Sequence, residues 1–486
     1  MSELSCSLNN LLTMSEGILP KENSSVTIET LDYKVNFEIK LAIMLESLWW
    51  FQTRFQLGEE NLWPVFLYST GRIQLLCITD ADMVKEVGLC SSLSLGKPSY
   101  LSKDRGPLLG LGIVSTSGPI WAHQRKIIAP EFYPDKVKRM MSLMVDSTTS
   151  ILRCWEDKII KSEEKGIADI KIDEDLRSLS ADIISRACFG SNYSQGKHIF
   201  SKLRALQQLM SSQTIGVPAS RFMPTKSNRG IWRLEKEIQS MILQVVNRRM
   251  DDACNEKDLL QMILEGAKNY GDDIDHLGMN RDKFIVDNCK TIYFAGHETT
   301  AITASWCLML LAANPEWQTR ARVEVLEICR DGSVPNAAML QKMKTLTMVI
   351  QETLRLYSPA MFIVREALKD IKLKDIVIPK GVNIQIPIKM LHEMPSLWGS
   401  DAHKFNPERF KNGIVGASKI PHAYIPFGVG NRICAGQHLA MVELKVILSL
   451  MLSKFYFSLS PDYRHCPASS LVVEPKHGVR LHVKRV

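Results

Sequence analysis

Three observations predict a mainly helical chain, folded as one large domain with small β-sheets. Apolar residues recur at spacings of three and four from about residue 80 to about residue 356. One stretch, "RDKFIVDNCKTIYFAGHETTAITASWCLMLLAAN", is apolar nearly all round, as expected of a helix crossing the middle of a protein. Alternating, strand-like stretches are short and confined to the flanks of the helical region. With 486 residues, 45% of them hydrophobic and 23% charged, the chain has an ordinary globular composition and can bury a large core. It shows no internal repeat, low-complexity tract or linker that would divide residues 61–486.

Residues 1–60 form a separate, divergent segment. Their nearest approach to a membrane span, "LAIMLESLWWF", is shorter than the roughly 18 residues required and carries a glutamate. No basic-then-apolar signal precedes it, so no transmembrane anchor is predicted. "FLYSTGRIQLLCIT" reads as two strands turning at Gly71-Arg72, and Asp80 is placed to cap the helix "ADMVKEV". Polar loops, "GKPSYLSKDRGP" and "SQTIGVPASRFMPTKSNRG", interrupt the helical pattern. The long apolar helix stops before Pro315, and "LQKMKTLTMVIQETLRLY" forms a single helix ending before Pro359. "IKLKDIVIPKGVNIQIPIK" alternates around Pro379-Lys380-Gly381 as a hairpin, a helix follows Gly436, and short strands close the chain.

The net charge of +8 contains no block of five like charges, which excludes nucleic acid as a partner and leaves an acidic protein or a membrane surface. Eleven scattered cysteines, without a CxxC pair or a Cys/His cluster at zinc spacing, argue against a disulfide framework or structural zinc. They suit a reducing, cytosol-facing environment.

One cysteine stands apart. "FGVGNRICAG" spans Phe427 to Gly436 and matches F-x-x-G-x-R-x-C-x-G, a pattern with a chance frequency on the order of one in ten thousand per chain. Taken alone, Cys434 reads as a buried thiol in a tight turn. As a haem-iron ligand it gives every neighbour a task. Gly428 and Gly430 permit a bulge that brings N–H groups near sulfur, and Gly436 lets a helix begin close to a porphyrin. Phe427 shields the sulfur from water, and Arg432 pairs with a propionate. Three further motifs accompany the loop. "ETLR" sets Glu352 and Arg355 on one helix face, "FNPERF" supplies Arg409 as a second partner for Glu352, and "WAHQR" sets Trp121 and Arg125 four apart on a helix.

In this order, from about residue 65 onward, these motifs resemble the cytochrome P-450 superfamily of haem-thiolate monooxygenases. The resemblance implies haem b, held between the long central helix and the cysteine loop, with Cys434 as iron ligand. It implies propionate contacts from Trp121, Arg125, Arg365 and Arg432, cofactor packing by Phe427, Gly430 and Gly436, and a structural network of Glu352, Arg355 and Arg409. In "AGHETT", Thr299 is similar to the family's oxygen-activating threonine and Glu298 to its proton-supplying acid. Gly296, at a helix-interior cost of about 1 kcal/mol against alanine, would open a groove for dioxygen. A threonine bonded to its own helix and a solvated glutamate are the plain alternative. Further implied are NADPH-cytochrome P-450 reductase, O2, a lipophilic small-molecule substrate, and the cytoplasmic face of the endoplasmic reticulum membrane.

"GVPASRFMPTKSNRGIWRLEKEI" and the segment after Cys434 look like the plant clan of hormone and terpenoid oxidases, and within it the gibberellin/diterpenoid-oxidising branch. By analogy the substrate meets residues 98–117, Ile292, Ala295, Thr300, residues 360–364 with Phe362 and Ile363, and residues 467–471 with Ser470. Lys103 or Arg105 would face a substrate carboxylate. Two other classes compete: a haem-thiolate isomerase or dehydratase, which lacks the threonine kept in "AGHETT", and a non-catalytic haem protein. Consumption of NADPH with a supplied reductase separates them. Finally, Phe222, Met223, Ile231 and Trp232 interleave with Lys226, Arg229 and Arg233, as suits a headgroup boundary.

Overall fold

Val65–Thr70 and Ile73–Ile78 pair antiparallel about Gly71-Arg72, as the alternation predicts, and begin a five-stranded sheet. Its order continues through Asn383–Pro387, Phe362–Ala367 and Leu95–Gly96. The computed structural model describes residues 64–486 apart from 92, 163–165, 191–192, 212, 214, 218–219, 252–257, 269–279 and 470. These belong to a unit running from Trp50 to Val486. The readings for residues 1–60 therefore lie outside the described residues. Among the described residues, no helix is long and apolar enough to cross a membrane.

The helices that build the site are α1 (Ala81–Leu89), α2 (Gly118–Ile128), α3 (Met141–Ile160), α4 (Ile172–Phe189), α5 (Tyr193–Ser211), α6 (Lys226–Asp251), α7 (Arg281–Ala313), α8 (Lys344–Leu356) and α9 (Gln437–Lys454). Asp80 caps α1, its carboxylate accepting from the Met83 N–H at 2.8 Å. Helix α7 is the apolar segment singled out in the sequence. Asn280 caps its start, accepting from the Lys283 N–H. Its residues are buried from Phe284 to Ala312 with few breaks, because α4, α8, α9 and the closing strands pack around it. One core cluster surrounds α7 and a second lies beneath the five-stranded sheet.

Two predicted elements are corrected. The helix expected over "LQKMKTLTMVIQETLRLY" breaks at Met343 into Ala337–Lys342 and α8. The Glu324 carboxylate accepts from the Thr345 and Leu346 N–H groups and so caps a new start from a distant part of the chain. The hairpin expected around Pro379-Lys380-Gly381 turns instead at Lys374-Asp375, joining Ile371–Leu373 to Ile376–Ile378. Lys374 takes φ 49° there, its N–H held by Glu86 and its ammonium by Asp80. Beyond Gly381 the chain leaves that hairpin, and Asn383–Pro387 enters the five-stranded sheet between Ile73–Ile78 and Phe362–Ala367.

Candidate functional site

A cavity of ≈ 360 Å³ lies between α7 and the cysteine loop, the two elements between which the family resemblance implies a cofactor. Ile292, Ala295, Gly296, Thr299, Thr300 and Thr303 of α7 form one wall, and Pro426 to Gly428 with Arg432 to Gly436 form the opposite one. Phe362 and Ile363 also line it, whereas Ser470 lies outside the described residues.

The loop's geometry follows from its glycines. Gly430 takes φ +64°, and a Cβ there would sit 2.0 Å from the Gly88 carbonyl oxygen at the end of α1. At Gly436 a Cβ would meet nothing within 4 Å, so that glycine leaves open space beside the cavity. The Cys434 N–H donates to the Phe427 carbonyl at 2.8 Å, folding the loop back on itself. Cys434 is exposed by area only because the cavity opens over it. Protein surrounds the thiol, and burial pushes it up, against the downward pull of the Gly436 N–H and Arg125. A thiolate at this position therefore calls for a further positive charge, which a bound iron provides.

Four cations gather at one edge of the cavity: Lys97, Arg125, Arg365 and Arg432. Burial lowers all four, Lys97 far below its ordinary value and Arg365 and Arg432 to about 10. Mutual repulsion adds to the effect at Lys97 and Arg432. Arg432 lies over the Trp121 ring, 4.3 Å from its centroid, and donates from Nη1 to the Thr116 carbonyl. Its Nε and Nη2 are buried without a partner. Arg125 donates to the Ile433 carbonyl, and Arg365 to the carbonyl of neighbouring Val364. Wholly or partly buried cations lacking carboxylates call for an anion. The two propionates of haem b, on a flat apolar ring beside a cysteine sulfur, fit this donor set. Lys97 was missed in the sequence. It follows Leu95–Gly96, which pairs with the strand carrying Arg365, a juxtaposition only the sheet creates.

Behind the loop, Glu352 and Arg355 are wholly buried and joined by two hydrogen bonds of 2.7 and 2.8 Å. Arg355 also donates to the carbonyls of His392, Ala402 and Lys404. Arg409 stands 3.4 Å from Glu352 but pairs more closely with Asp401, at 2.6 Å. His392, also missed, accepts from the Ile425 N–H at Nε2, so its Nδ1–H donates to the Arg355 carbonyl. Burial pushes it down to about 3 and keeps it neutral. It thus ties the Glu352–Arg355 pair to the start of the cysteine loop.

Helix α7 separates the two residues proposed from "AGHETT". Thr299 faces the cavity, its Oγ1 donating to the Ala295 carbonyl at 2.8 Å. Glu298 faces a second, polar cavity of ≈ 610 Å³, shared with Asp173, Arg177, Arg204 and Glu474. Burial opposes its charge, but His297, Arg177 and Arg204 outweigh that and hold the carboxyl down at about 2. Gly296 borders the cavity beside Ala295, and a Cβ there would lie 2.6 Å from Ile184 of α4, so glycine also permits close helix packing. Arg105 donates to the Met210 and Gln213 carbonyls at the end of α5, which engages the group expected to meet a carboxylate, and Lys103 is exposed.

Comparison with known proteins agrees with this geometry. The Cytochrome P450 family profile matches residues 44–482, reaching back into the segment 1–60 that the sequence reading set apart. Cytochrome P450 714C2 of Oryza sativa subsp. japonica is 56% identical over 86% of this chain and 79% of its own. Cytochrome P450 714B3 of Zea mays is 49% identical over 87% and 78%. Cytochrome P450 714A2 of Arabidopsis thaliana is 47% identical over 86% and 81%.

Proposed function

Because the chain belongs to the cytochrome P450 family, and is a monooxygenase working with haem b, we propose that it inserts one oxygen atom of O2 into a gibberellin-type or other diterpenoid. In this reading its electrons come from NADPH-cytochrome P-450 reductase, at the cytoplasmic face of the endoplasmic reticulum membrane. The observation that carries the substrate class is the cavity wall. Ile292, Phe362 and Ile363 are apolar, and the Thr299 and Thr303 hydroxyls are spent on helix carbonyls. That wall suits a mostly hydrocarbon ligand.

Bound haem b supplies the redox chemistry that activates dioxygen. The chain's own groups hold and order it. The Cys434 sulfur is the metal ligand, Phe427 keeps water from that sulfur, and Lys97, Arg125, Arg365 and Arg432 hold the carboxylates. Thr299 holds a proton at Oγ1 beside the cavity, and turning that hydroxyl off the Ala295 carbonyl presents it to a reacting oxygen. Glu298 takes protons from water in the polar cavity and passes them toward Thr299, which requires Arg177 and Arg204 to loosen their grip. Positioned proton transfer of this kind contributes about 10²–10⁴-fold.

The test is incubation with reductase, NADPH and a panel of diterpenoids, read by mass for gain of one oxygen. A preparation that shows the red-shifted Soret band of the reduced, carbon monoxide-bound form but oxidises no member of the panel would refute the substrate class. Thr299→Ala should keep that band and divert NADPH electrons into hydrogen peroxide. Unchanged coupling in both Thr299→Ala and Glu298→Gln would remove them from the proton path.

A further inference from the structure

Four rings run from behind the cavity wall to the surface. Thr303 of α7 and Leu354 of α8 line the cavity, and three residues beyond each stand Trp306 and Tyr357. Their rings stack with centroids 4.4 Å apart and planes 17° from parallel. Trp306 is fully buried, and its indole N–H donates to the Val473 carbonyl at 3.2 Å. The Tyr357 hydroxyl lies 3.1 Å from His465 Nε2, and the Tyr463 hydroxyl lies 2.8 Å from His465 Nδ1. His465 packs edge-on to Trp306 and to both tyrosines, and is itself exposed. None of these four side chains is needed to hold the cofactor or to shape the cavity.

The arrangement has the parts that one-electron oxidation of tyrosine demands. Burial pushes both phenols up, Tyr357 to about 12, so each is a neutral phenol that must lose its proton as it loses an electron. A base in contact is therefore required. Burial, and then Lys389, lower His465 and keep it neutral. A neutral imidazole accepts at one nitrogen only. The shorter contact assigns acceptance to Nδ1 from Tyr463, with Nε2–H donating to Tyr357. Electron tunnelling falls off steeply with distance, and here the rings are in van der Waals or hydrogen-bond contact from first to last.

We propose that Trp306, Tyr357, His465 and Tyr463 form a one-electron conduit that drains oxidising equivalents from the cofactor when peroxide reacts with it in a cavity without substrate. In this step Tyr463 gives up one electron, which tunnels through the rings of Tyr357 and Trp306, oxidising neither, to the oxidised haem. Its phenolic proton moves to His465 Nδ1, and no bond between heavy atoms forms or breaks. The resulting neutral phenoxyl is restored by one electron from a solvent thiol or ascorbate and by return of its proton from His465 Nδ1, the reductant's own proton going to solvent. The inference rests on the haem reading of the site, and its test keeps the two apart.

The test treats the substrate-free, haem-loaded full chain with hydrogen peroxide and follows two signals: the protein radical by freeze-quench electron paramagnetic resonance, and the bleaching of the Soret band. The expected result is a tyrosyl radical whose lines narrow when ring-deuterated tyrosine is incorporated. The Tyr357→Phe, Tyr463→Phe double variant, which keeps both rings and their packing, should lose that signal and bleach severalfold faster. The same radical and the same bleaching rate in the double variant would overturn the conduit. So would the absence of any protein radical in a wild type whose carbon monoxide-bound band is intact. A wild type without that band would overturn the haem reading, and the conduit with it.

Discussion

Lys97 and Glu443 show how single residues carry costs that only their surroundings explain. Lys97 is desolvated beside Arg365 and Arg432, so in the empty fold it is a charge held against repulsion. A bound carboxylate reverses that sign, because a hydrogen bond to a charged group contributes about 1.5–3 kcal/mol. Lys97→Met should therefore raise the melting temperature of the apoprotein while weakening haem retention by roughly 10- to 100-fold. Transfer of haem to an acceptor apoprotein measures the second effect, and unchanged retention would remove Lys97 from the propionate set. Glu443 of α9 is buried, with Ser180 of α4 donating to one carboxyl oxygen at 2.7 Å and the other oxygen unpartnered. Burial pushes its carboxyl from 4.5 up to about 8. A raised folded value means that the fold keeps a proton the unfolded chain has lost. The stabilisation is complete below pH 4.5 and is lost as pH rises toward 8. Glu443→Gln keeps the donor geometry without the titration. It should flatten that decline, worth about a few kcal/mol. Parallel urea midpoints of wild type and variant across the window would count against a neutral Glu443.

At the scale of elements, the packing of α4 on α7 depends on Gly296, where any Cβ meets Ile184 at 2.6 Å. Gly296→Val should destabilise the holoprotein by about 1–3 kcal/mol through overpacking. Because the clash has one named partner, the Gly296→Val, Ile184→Ala double variant should be less destabilised than the sum of the singles by about 1 kcal/mol or more. Additive costs in denaturant titration would place the strain elsewhere. Elements were legible where their signal was local. The α7 segment declared itself by continuous apolarity between Asn280 and Pro315, and the cysteine loop by five spaced residues. The break at Met343 was not legible, since the Glu324 carboxylate that caps α8 arrives from another helix. Alternation in "IKLKDIVIPKGVNIQIPIK" revealed strands but not partners, so the turn was placed at Gly381 rather than at Lys374. Lys97 and His392 escaped for the same reason: each acts through neighbours far along the chain. Glu298 and Thr299 are adjacent in sequence, yet α7 sends them to opposite cavities, a consequence of the roughly 100° step per residue.

The whole molecule bears on membrane attachment through the connection between α5 and α6. Of the four apolar side chains expected at a headgroup boundary, Phe222 and Met223 are exposed, at 66% and 59%. Ile231 is buried and Trp232 packs against the core, because both lie on α6 and face inward. Lys226, Arg229 and Arg233 remain exposed around the tip, and Arg221 lies over the Phe222 ring while donating to the Lys103 carbonyl. The tip thus offers two large apolar side chains and a ring of cations, a smaller anchor than the sequence implied. Burying Phe222 and Met223 would contribute roughly 3–5 kcal/mol at most. Each cation near an anionic surface adds about 1 kcal/mol that salt screens. Attachment through this loop should therefore be reversible, should require anionic lipid, and should weaken as ionic strength rises. Co-sedimentation of the full chain with anionic liposomes tests this, comparing wild type with the Phe222→Ser, Met223→Ser double variant. The variant should pellet less at every lipid concentration, and the difference should persist in high salt, where only the apolar part of the anchor remains. Equal pelleting of the two proteins, or none by either, would leave this loop without a membrane role.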